Sequence, residues 1–511
     1  MHIGDWGARG AMYWPGRIAL VDEARGTRFT YADLDRRSDA LAAHLRSLGI
    51  GNGDRVGAIA HNGVEVMDLL FACGKLGAIF VPYNWRLTAH EAAGLVRLTT
   101  PRALFVSREL ADVAIGALEA AGLTGERAIP FVDLGSASES SSTYERIVTA
   151  DSAPVREEST SAEDTFVLLF TGGTTGLPKA VKLSHRMVAC NVQTTVIHHL
   201  RHDDVTIVHT PMFHTGGLFV HALPVLATGG RVILVRRWDA GEMLRLIVRE
   251  KVTVSFAVPT QLRELSEHAA FATTDFSAVR MLISGGAPLP VSLLATFQAR
   301  GVPIAQGFGM TEFGPNALML TAEEGFAHPG AVGRPNYFVD ARVVGPDNRP
   351  VTSGDTGELC FRGQGLFSGY FGMDERVVDD EGWFHTGDLA REQSGNLYIV
   401  GRLKEMFISG GENVYPLEVE EALYAHPAVR SCAVIGIPDE RWGEVGCAFV
   451  IWKEGARDSA TADELRAFCK ERLAGYKVPK QFQVVQELPL TPAGKILKRE
   501  LLRRFTKEAC S

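Results

Sequence analysis

Residues 165–180 read Thr-Phe-Val-Leu-Leu-Phe-Thr-Gly-Gly-Thr-Thr-Gly-Leu-Pro-Lys-Ala. The opening run is short and apolar, which fits a strand buried in a sheet. The loop after it has the chemistry of an anion site. Gly172, Gly173 and Gly176 let the backbone turn its N–H groups toward one point. Thr171, Thr174 and Thr175 add hydroxyl donors, and Lys179 adds positive charge. It is not a Walker A loop, because Pro178 separates the last glycine from the lysine and Ala180 follows in place of Ser or Thr. A shorter Gly/Thr-rich stretch would read equally well as a plain surface turn; the length of this one makes it specific.

Outward from this loop, short β-branched runs alternate with helical patterns. Strands are expected at 55–60, 78–82, 103–106, 165–170, 206–209, 231–235, 252–258, 281–283 and 303–306. Apolar residues at three- and four-residue spacing fill several of the gaps, as at 241–251. This alternation predicts an α/β fold with largely buried parallel sheets. From 332 to 400 the pattern changes to short strands and Gly-rich turns, predicting a small β-rich subdomain. A domain boundary is expected near 401–404, followed by a smaller α+β unit. There Pro416 opens a helix with Glu418, Glu420 and Glu421 near its positive end. Thr461 and Glu464 form a capping box for a helix running through 474, with strands at 432–437, 448–452 and 482–485. The Ser-rich residues 136–142 read as a solvated loop.

Composition narrows the function classes. The chain has 511 residues, enough for several domains, and a net charge of −8 with no basic run, which argues against nucleic-acid binding. Seven cysteines (73, 190, 360, 432, 447, 469 and 510) form no CxxC pair, so reduced, buried thiols fit better than disulfides or zinc. Asp5, Arg9 and Arg17 interrupt the N-terminus, and no signal peptide is expected. The longest stretch without a charged side chain, 205–230, is broken by Pro211, Pro224, two Gly-Gly pairs and three histidines. It reads as strand, loop, helix and strand, not as a membrane span. The expectation is a soluble cytoplasmic protein; a homodimer is left open.

Residues 170–180 resemble the phosphate loop of the adenylate-forming superfamily, which includes acyl-CoA synthetases, aryl-CoA ligases such as 4-coumarate–CoA ligase, peptide-synthetase adenylation domains and firefly luciferase. Ala180 stands where the final glycine is usual. Further motifs follow in order from Phe29-Thr30-Tyr31 to Lys495, so the resemblance covers most of the chain. It implies ATP contacts from Thr171, Gly172, Gly173, Thr174, Thr175, Gly176 and Lys179. Ser284-Gly285-Gly286-Ala287-Pro288-Leu289 is similar to the loop beside adenine, at a strand end where open α/β sheets bind ligands. Gln306-Gly307-Phe308-Gly309-Met310-Thr311-Glu312 resembles the motif in which the aromatic residue stacks on adenine, the threonine meets the α-phosphate and the acid helps hold Mg²⁺. Asp388, in Trp383-Phe384-His385-Thr386-Gly387-Asp388, and Arg402 would contact ribose. Outside this context those two would read as a surface ion pair worth little.

The same resemblance implies an N-terminal AMP-binding domain of stacked α/β sheets at 1–401, a hinge at 402–404 pivoting on Lys404, and a mobile C-terminal domain at 405–511. Gly410 and Gly411 would line a path for CoA, and Lys495, in Pro492-Ala493-Gly494-Lys495, is the catalytic lysine by position. Arg237 stands about where some relatives bind a CoA phosphate. Phe213, His214 and Gly216 match the acid-pocket motif. Amino-acid-activating relatives usually carry Asp at the histidine position, so His214 argues against that class. Coumarate ligases carry Tyr where Gly216 stands, which implies either more room or a pocket filled from elsewhere.

The implied function is ATP-dependent activation of a carboxylic acid to an acyl-adenylate, with Mg²⁺, followed by transfer to CoA. Lys495, His214, Thr311 and Glu312 would carry the chemistry. Fatty and aryl acids both stay open. So does a non-CoA acceptor: a carrier-protein thiol, an amine, an intramolecular or an inorganic nucleophile. An inactive nucleotide-binding protein is disfavoured, because Lys495, Glu312, Asp388 and Arg402 are all present.

Overall fold

In the computed structural model, which describes residues 3–135, 142–171, 178–287, 289–453, 461–490 and 496–508, the apolar run before the loop is strand Thr165–Thr171, with Phe166 to Leu169 buried. It lies in a six-stranded sheet of spatial order Phe131–Asp133, Ala103–Val106, Arg55–Ile59, Ile79–Tyr83, Thr165–Thr171 and Lys179–Ser184. The first five strands run parallel and the last antiparallel. Helix Val64–Leu76 is buried along its whole length between its neighbours, which is why that segment is apolar on more than one face.

A second sheet begins with parallel strands Val254–Ala257, Met281–Gly285 and Ile304–Met310, then adds Gly314–Leu320 and Arg334–Pro335 antiparallel. A third, four-stranded sheet runs Thr27–Thr30, Ile18–Asp22, Arg231–Leu234, Val205–Val208. Thr253 joins the second and third sheets: its hydroxyl accepts from the Val205 amide at 2.9 Å and its amide donates to the Val205 carbonyl at 2.9 Å. All nine expected strands of this region are present, all but Ala103–Val106 with shifted ends. The one expected at 252–258 is shorter, because Thr253 is spent on that junction and Pro259 opens a helix. The one expected at 303–306 runs on to Met310, because Gly307 and Phe308 find partners in Gly314–Leu320.

The β-rich segment is a four-stranded antiparallel meander of Val339–Val344, Thr356–Gly363, Phe384–Gln393 and Asn396–Arg402. Beyond it lies a mostly antiparallel sheet of Phe407–Ser409, Glu412–Val414, Val429–Asp439 and Gly443–Trp452, with Gln481–Val484 added in parallel. Pro416 opens helix Pro416–Tyr424, and Thr461 and Glu464 form their capping box. That second helix ends at Lys470, not 474: the Cys469 carbonyl accepts from both Arg472 and Leu473, which tightens and closes the last turn. Ser142 caps helix Thr143–Val148, while the rest of the Ser-rich stretch lies outside the described residues. No described helix is long and apolar enough to cross a membrane. The six described cysteines are all free and buried.

Buried polar groups fix how the layers meet. Lys75 is fully buried, with its Nζ 2.5 Å from Asp35 and 2.7 Å from Asp39; breaking such a pair costs about 3–5 kcal/mol. His199 and His221 meet Nε2 to Nε2 at 3.2 Å where helices His185–His199 and Ala222–Ala227 pack together. Burial pushes both imidazoles down, His221 to about 3, and takes buried His209 to about 4. The unfolded chain, with histidines near the ordinary value of about 6.5, therefore takes up protons first as pH falls. Stability present above about pH 6.5 should drop by about 2 kcal/mol at about pH 5 for each of His209 and His221. Thermal melts across that range should show the decline, and His221→Gln should flatten it by one histidine's share; a flat wild-type profile would contradict the assignment.

Candidate active site

The parallel strands Met281–Gly285 and Ile304–Met310 lie side by side, and the C-terminal ends of such strands are the usual ligand crevice of an open α/β sheet. Gly285 ends strand Met281–Gly285 beside Gly307, and a Cβ there would stand 2.7 Å from the Gly307 carbonyl oxygen. Gly309 is equally crowded, 2.2 Å from the Pro315 carbonyl oxygen by the same measure. These glycines keep two backbones in contact, and the turn continues through Gly286 (φ +81°) and Ala287. Gln306, Gly307, Phe308, Gly309 and Met310 all lie on strand Ile304–Met310, with Phe308 half-buried. Thr311 and Glu312 follow on the turn into Gly314–Leu320.

Glu312 is the centre of the polar array. It is 8% exposed, and the Tyr370 hydroxyl donates to its Oε1 at 3.3 Å. The ring of Tyr370 in turn lies under the Lys179 ammonium, 4.4 Å from Nζ to the centroid. Lys179 faces Thr171 across the hairpin that bears the phosphate loop. Burial pushes the Glu312 carboxyl up; the Tyr370 bond and the field of Arg402 oppose this, and Asp388 adds to it. Asp388 and Arg402 are direct cross-strand partners, with Arg402 Nε 2.7 Å from Asp388 Oδ1. Three motifs far apart in sequence therefore meet around one desolvated carboxylate. Tyr370 was missed: in Ser368-Gly369-Tyr370-Phe371 it carries no charge or repeat to mark it.

A desolvated carboxylate held near a second acid suits Mg²⁺, which takes one or two protein oxygens and completes its shell with phosphates and water. Gly172, Gly173, Thr174, Thr175, Gly176 and Lys495 lie outside the described residues. Lys404 sits on the turn after Asn396–Arg402, and Leu403 before it donates its amide to the Gly387 carbonyl at 2.9 Å. Gly410 (φ +62°) and Gly411 (φ +88°) turn the chain between Phe407–Ser409 and Glu412–Val414. Gly410 lies against Trp442: a Cβ there would be 2.6 Å from the indole, and its amide donates to the Trp442 carbonyl.

The acid-pocket motif is held by buried Asn62, whose side chain donates to the Thr210 carbonyl at 3.0 Å and accepts from the Met212 amide at 3.0 Å. His214 caps the short helix Thr215–Leu218, which packs against Gly314–Leu320. Rings run in series from His61 through Trp85 and Phe213 to His214. The space left by Gly216 is filled from elsewhere: a Cβ on it would stand 3.3 Å from Phe256 Cε1 and from Thr210 Cγ2. The other edge of Phe256 faces Gly285, so this ring links the Gly216 segment to the Gly285 turn. Arg237 is exposed after strand Arg231–Leu234, beside Arg236, which pairs with Glu109 at 2.9 Å.

Comparison with known proteins gives a consistent picture. The chain matches the family model of the AMP-binding enzymes at residues 8–371, and that of the AMP-binding enzyme C-terminal domain at 418–495. It is 39% identical to a feruloyl-CoA synthase of an Amycolatopsis species, over 98% of this chain and 99% of the relative. It is 33% identical to an indoleacetate–CoA ligase of Aromatoleum aromaticum, over 99% of both. Among solved structures, ATP-bound MatB from Rhodopseudomonas palustris superposes with a TM-score of 0.89 at 30% identity, covering 99% of each chain.

The link from Lys179 through Tyr370 to Glu312 is open to a direct test. Tyr370→Phe keeps the ring under the ammonium and deletes only the hydroxyl that meets the carboxylate. At 3.3 Å the contact is longer than a strong charge-assisted bond, so an ordinary contribution of about 0.5–1.5 kcal/mol, a loss of about 2- to 10-fold, is expected. That loss should appear in nucleotide-dependent turnover at temperatures where the variant is fully folded; equal turnover would remove Tyr370 from the site.

Proposed function

Because the chain belongs to the family of AMP-binding enzymes, we propose a division of labour for its reaction and an aryl acid as its substrate. The overall activity is that of an AMP-forming acid–CoA ligase using ATP, a carboxylic acid and CoA. The observation that carries the residue assignments is the meeting of Lys179, Tyr370, Glu312, Asp388 and Arg402 beside the acid-pocket motif.

In the first half-reaction a carboxylate oxygen attacks the α-phosphorus, and the bond to pyrophosphate breaks. Negative charge gathers on phosphoryl oxygens that already carry it, so preorganised cations and donors lower the barrier. Thr311 and Lys179 serve this end from the strand ends, and Lys495 from the C-terminal domain. One unit charge at 4 Å is worth about 4 kcal/mol at an effective dielectric of about 20, or roughly 10²–10³ in rate after screening. Mg²⁺, bound through Glu312 and the nucleotide's own phosphates, would neutralise the departing pyrophosphate. Asp388 accepts from the ribose hydroxyls, Arg402 holds that carboxylate in place, and Phe308 stacks on adenine along the backbone path of Gly285, Gly286 and Ala287.

In the second half-reaction the CoA sulfur attacks the acyl carbon, the bond to the phosphate oxygen breaks, and AMP leaves. The residues up to 401 hold the adenylate. Those from 405 swing about Lys404 and bring Gly410 and Gly411 to the pantetheine path, with Arg237 toward a CoA phosphate and His214 between carboxylate and thiol. The aryl preference is supported by the ring series ending at His214, by Phe256 against Gly216, and by the two aryl-acid relatives. Buried, unpaired thiols support a reducing, cytoplasmic setting.

Pyrophosphate release with Mg-ATP over a panel of aryl and aliphatic acids, with and without CoA, tests the reading. Aryl acids should turn over best and yield aryl-CoA; a preference for long aliphatic chains would overturn the substrate class. Acid-dependent pyrophosphate without a thioester would point to another acceptor. Lys495→Ala should cut adenylate formation about 10²-fold or more while sparing thioester formation from supplied adenylate; equal loss of both halves would contradict its role. Gly216→Tyr must displace Phe256 and should penalise bulky aryl acids more than small ones; an unchanged acid profile would put the pocket elsewhere.

A further inference from the structure

We propose that Glu358 is a positioning residue for the ribose-binding carboxylate of Asp388, holding the backbone bulge on which Asp388 stands; the proposal rests on the ribose reading of Asp388. The motif containing Asp388 is not regular strand. Across the pair Thr356–Gly363 and Phe384–Gln393, Cys360 faces His385 and Glu358 faces Leu389. Leu359 alone therefore stands opposite Thr386, Gly387 and Asp388. The extra residues lose their ladder partners, and buried backbone groups without partners are costly.

Four of the groups that the bulge leaves without ladder partners are taken up locally. The Thr386 hydroxyl donates to the Leu359 carbonyl at 2.7 Å and accepts from the Asp388 amide at 3.0 Å. Gly387, at φ +72°, donates its amide to Glu358 Oε1 at 2.9 Å, and its carbonyl accepts from the Leu403 amide at 2.9 Å. The second oxygen of Glu358 lies 2.8 Å from His385 Nδ1, and His385 Nε2 lies 3.6 Å from Asp379 Oδ2. Asp379 is itself paired with Arg342 at 2.9 Å. The Glu358 carboxylate is thus fixed at both oxygens, and one of them fixes the turn next to Asp388. Asp388, almost wholly buried, then meets Arg402 across the strand pair.

A bulge alone needs only some acceptor for one amide. A carboxylate gives a shorter and roughly twofold stronger bond than a neutral acceptor, and here it is clamped by a histidine that is clamped in turn. Such rigidity is what a site needs when a displacement of about 1 Å costs about 10²-fold in rate. Glu358 makes no nucleotide contact in this proposal; it acts through the Gly387 backbone.

The test is a chemical double-mutant cycle on the full-length enzyme. Adenylate formation is measured with ATP, 2′-deoxy-ATP and 3′-deoxy-ATP for wild type, Asp388→Ala, Glu358→Ala and Glu358→Gln. Wild type should lose about 10- to 100-fold on removal of the recognised hydroxyl, and Asp388→Ala should lose nothing further. Glu358→Ala should lower turnover with ATP and shrink the deoxy penalty to a few-fold, with Glu358→Gln between it and wild type. A Glu358→Ala enzyme that is slower but keeps the whole deoxy penalty would show a merely structural role and overturn the proposal. If Glu358→Ala does not fold, an undiminished penalty in Glu358→Gln overturns it instead. A full deoxy penalty in Asp388→Ala would instead remove the ribose reading itself, and this proposal with it.

Discussion

A carboxylate taken out of water is expensive, and the site is arranged around one. Glu312 is buried on the turn after strand Ile304–Met310, in the fields of Arg402 and Asp388 and bonded to Tyr370. Burying an acid is tolerable only where opposite charge or hydrogen bonds compensate it. That requirement brings together the end of the phosphate hairpin, the meander of residues 339–402 and the central parallel sheet. The same low-dielectric setting that makes the acid costly makes every charge aimed at a bound phosphate more effective. The sheets hold this group of side chains in register, and the close backbone approach at Gly285 and Gly309 leaves the strand ends no slack.

Much of this was legible in the sequence. Buried strands announce themselves as apolar runs, and Thr165–Thr171 lies where its pattern puts it. Asp388 and Arg402 form the ion pair that their residue types also allowed, but with Asp388 buried and not at the surface. The residues that escaped act through position. Tyr370 is an ordinary tyrosine until the fold lays its ring between Lys179 and Glu312. Phe256 reads as one more strand residue, and only the absence of a side chain at Gly216, on another sheet's loop, gives it a role. Glu358 carries no mark in the sequence, and only the strand register shows what it faces. Pairwise relations across sheets are set by tertiary packing, which local periodicity does not encode.

The acid motif shows the same logic from the apolar side. Deleting a side chain at Gly216 does not leave a hole, because close packing recruits Phe256 from strand Val254–Ala257. That ring also faces Gly285, so the Gly216 segment and the Gly285 turn share one aromatic group. A change of shape at Gly216 would therefore be passed to Gly285 through one side chain.

The six described cysteines are buried, and burial raises every one of their thiols above its ordinary range. The thiolate is the form that attacks an activated acyl group. A protein that generates a mixed anhydride in its own crevice faces a hazard: any accessible sulfur of its own would capture the acyl group. Among the described residues no such sulfur is offered. The six described thiols are thereby kept from self-acylation, and the activated acid is left for an external thiol.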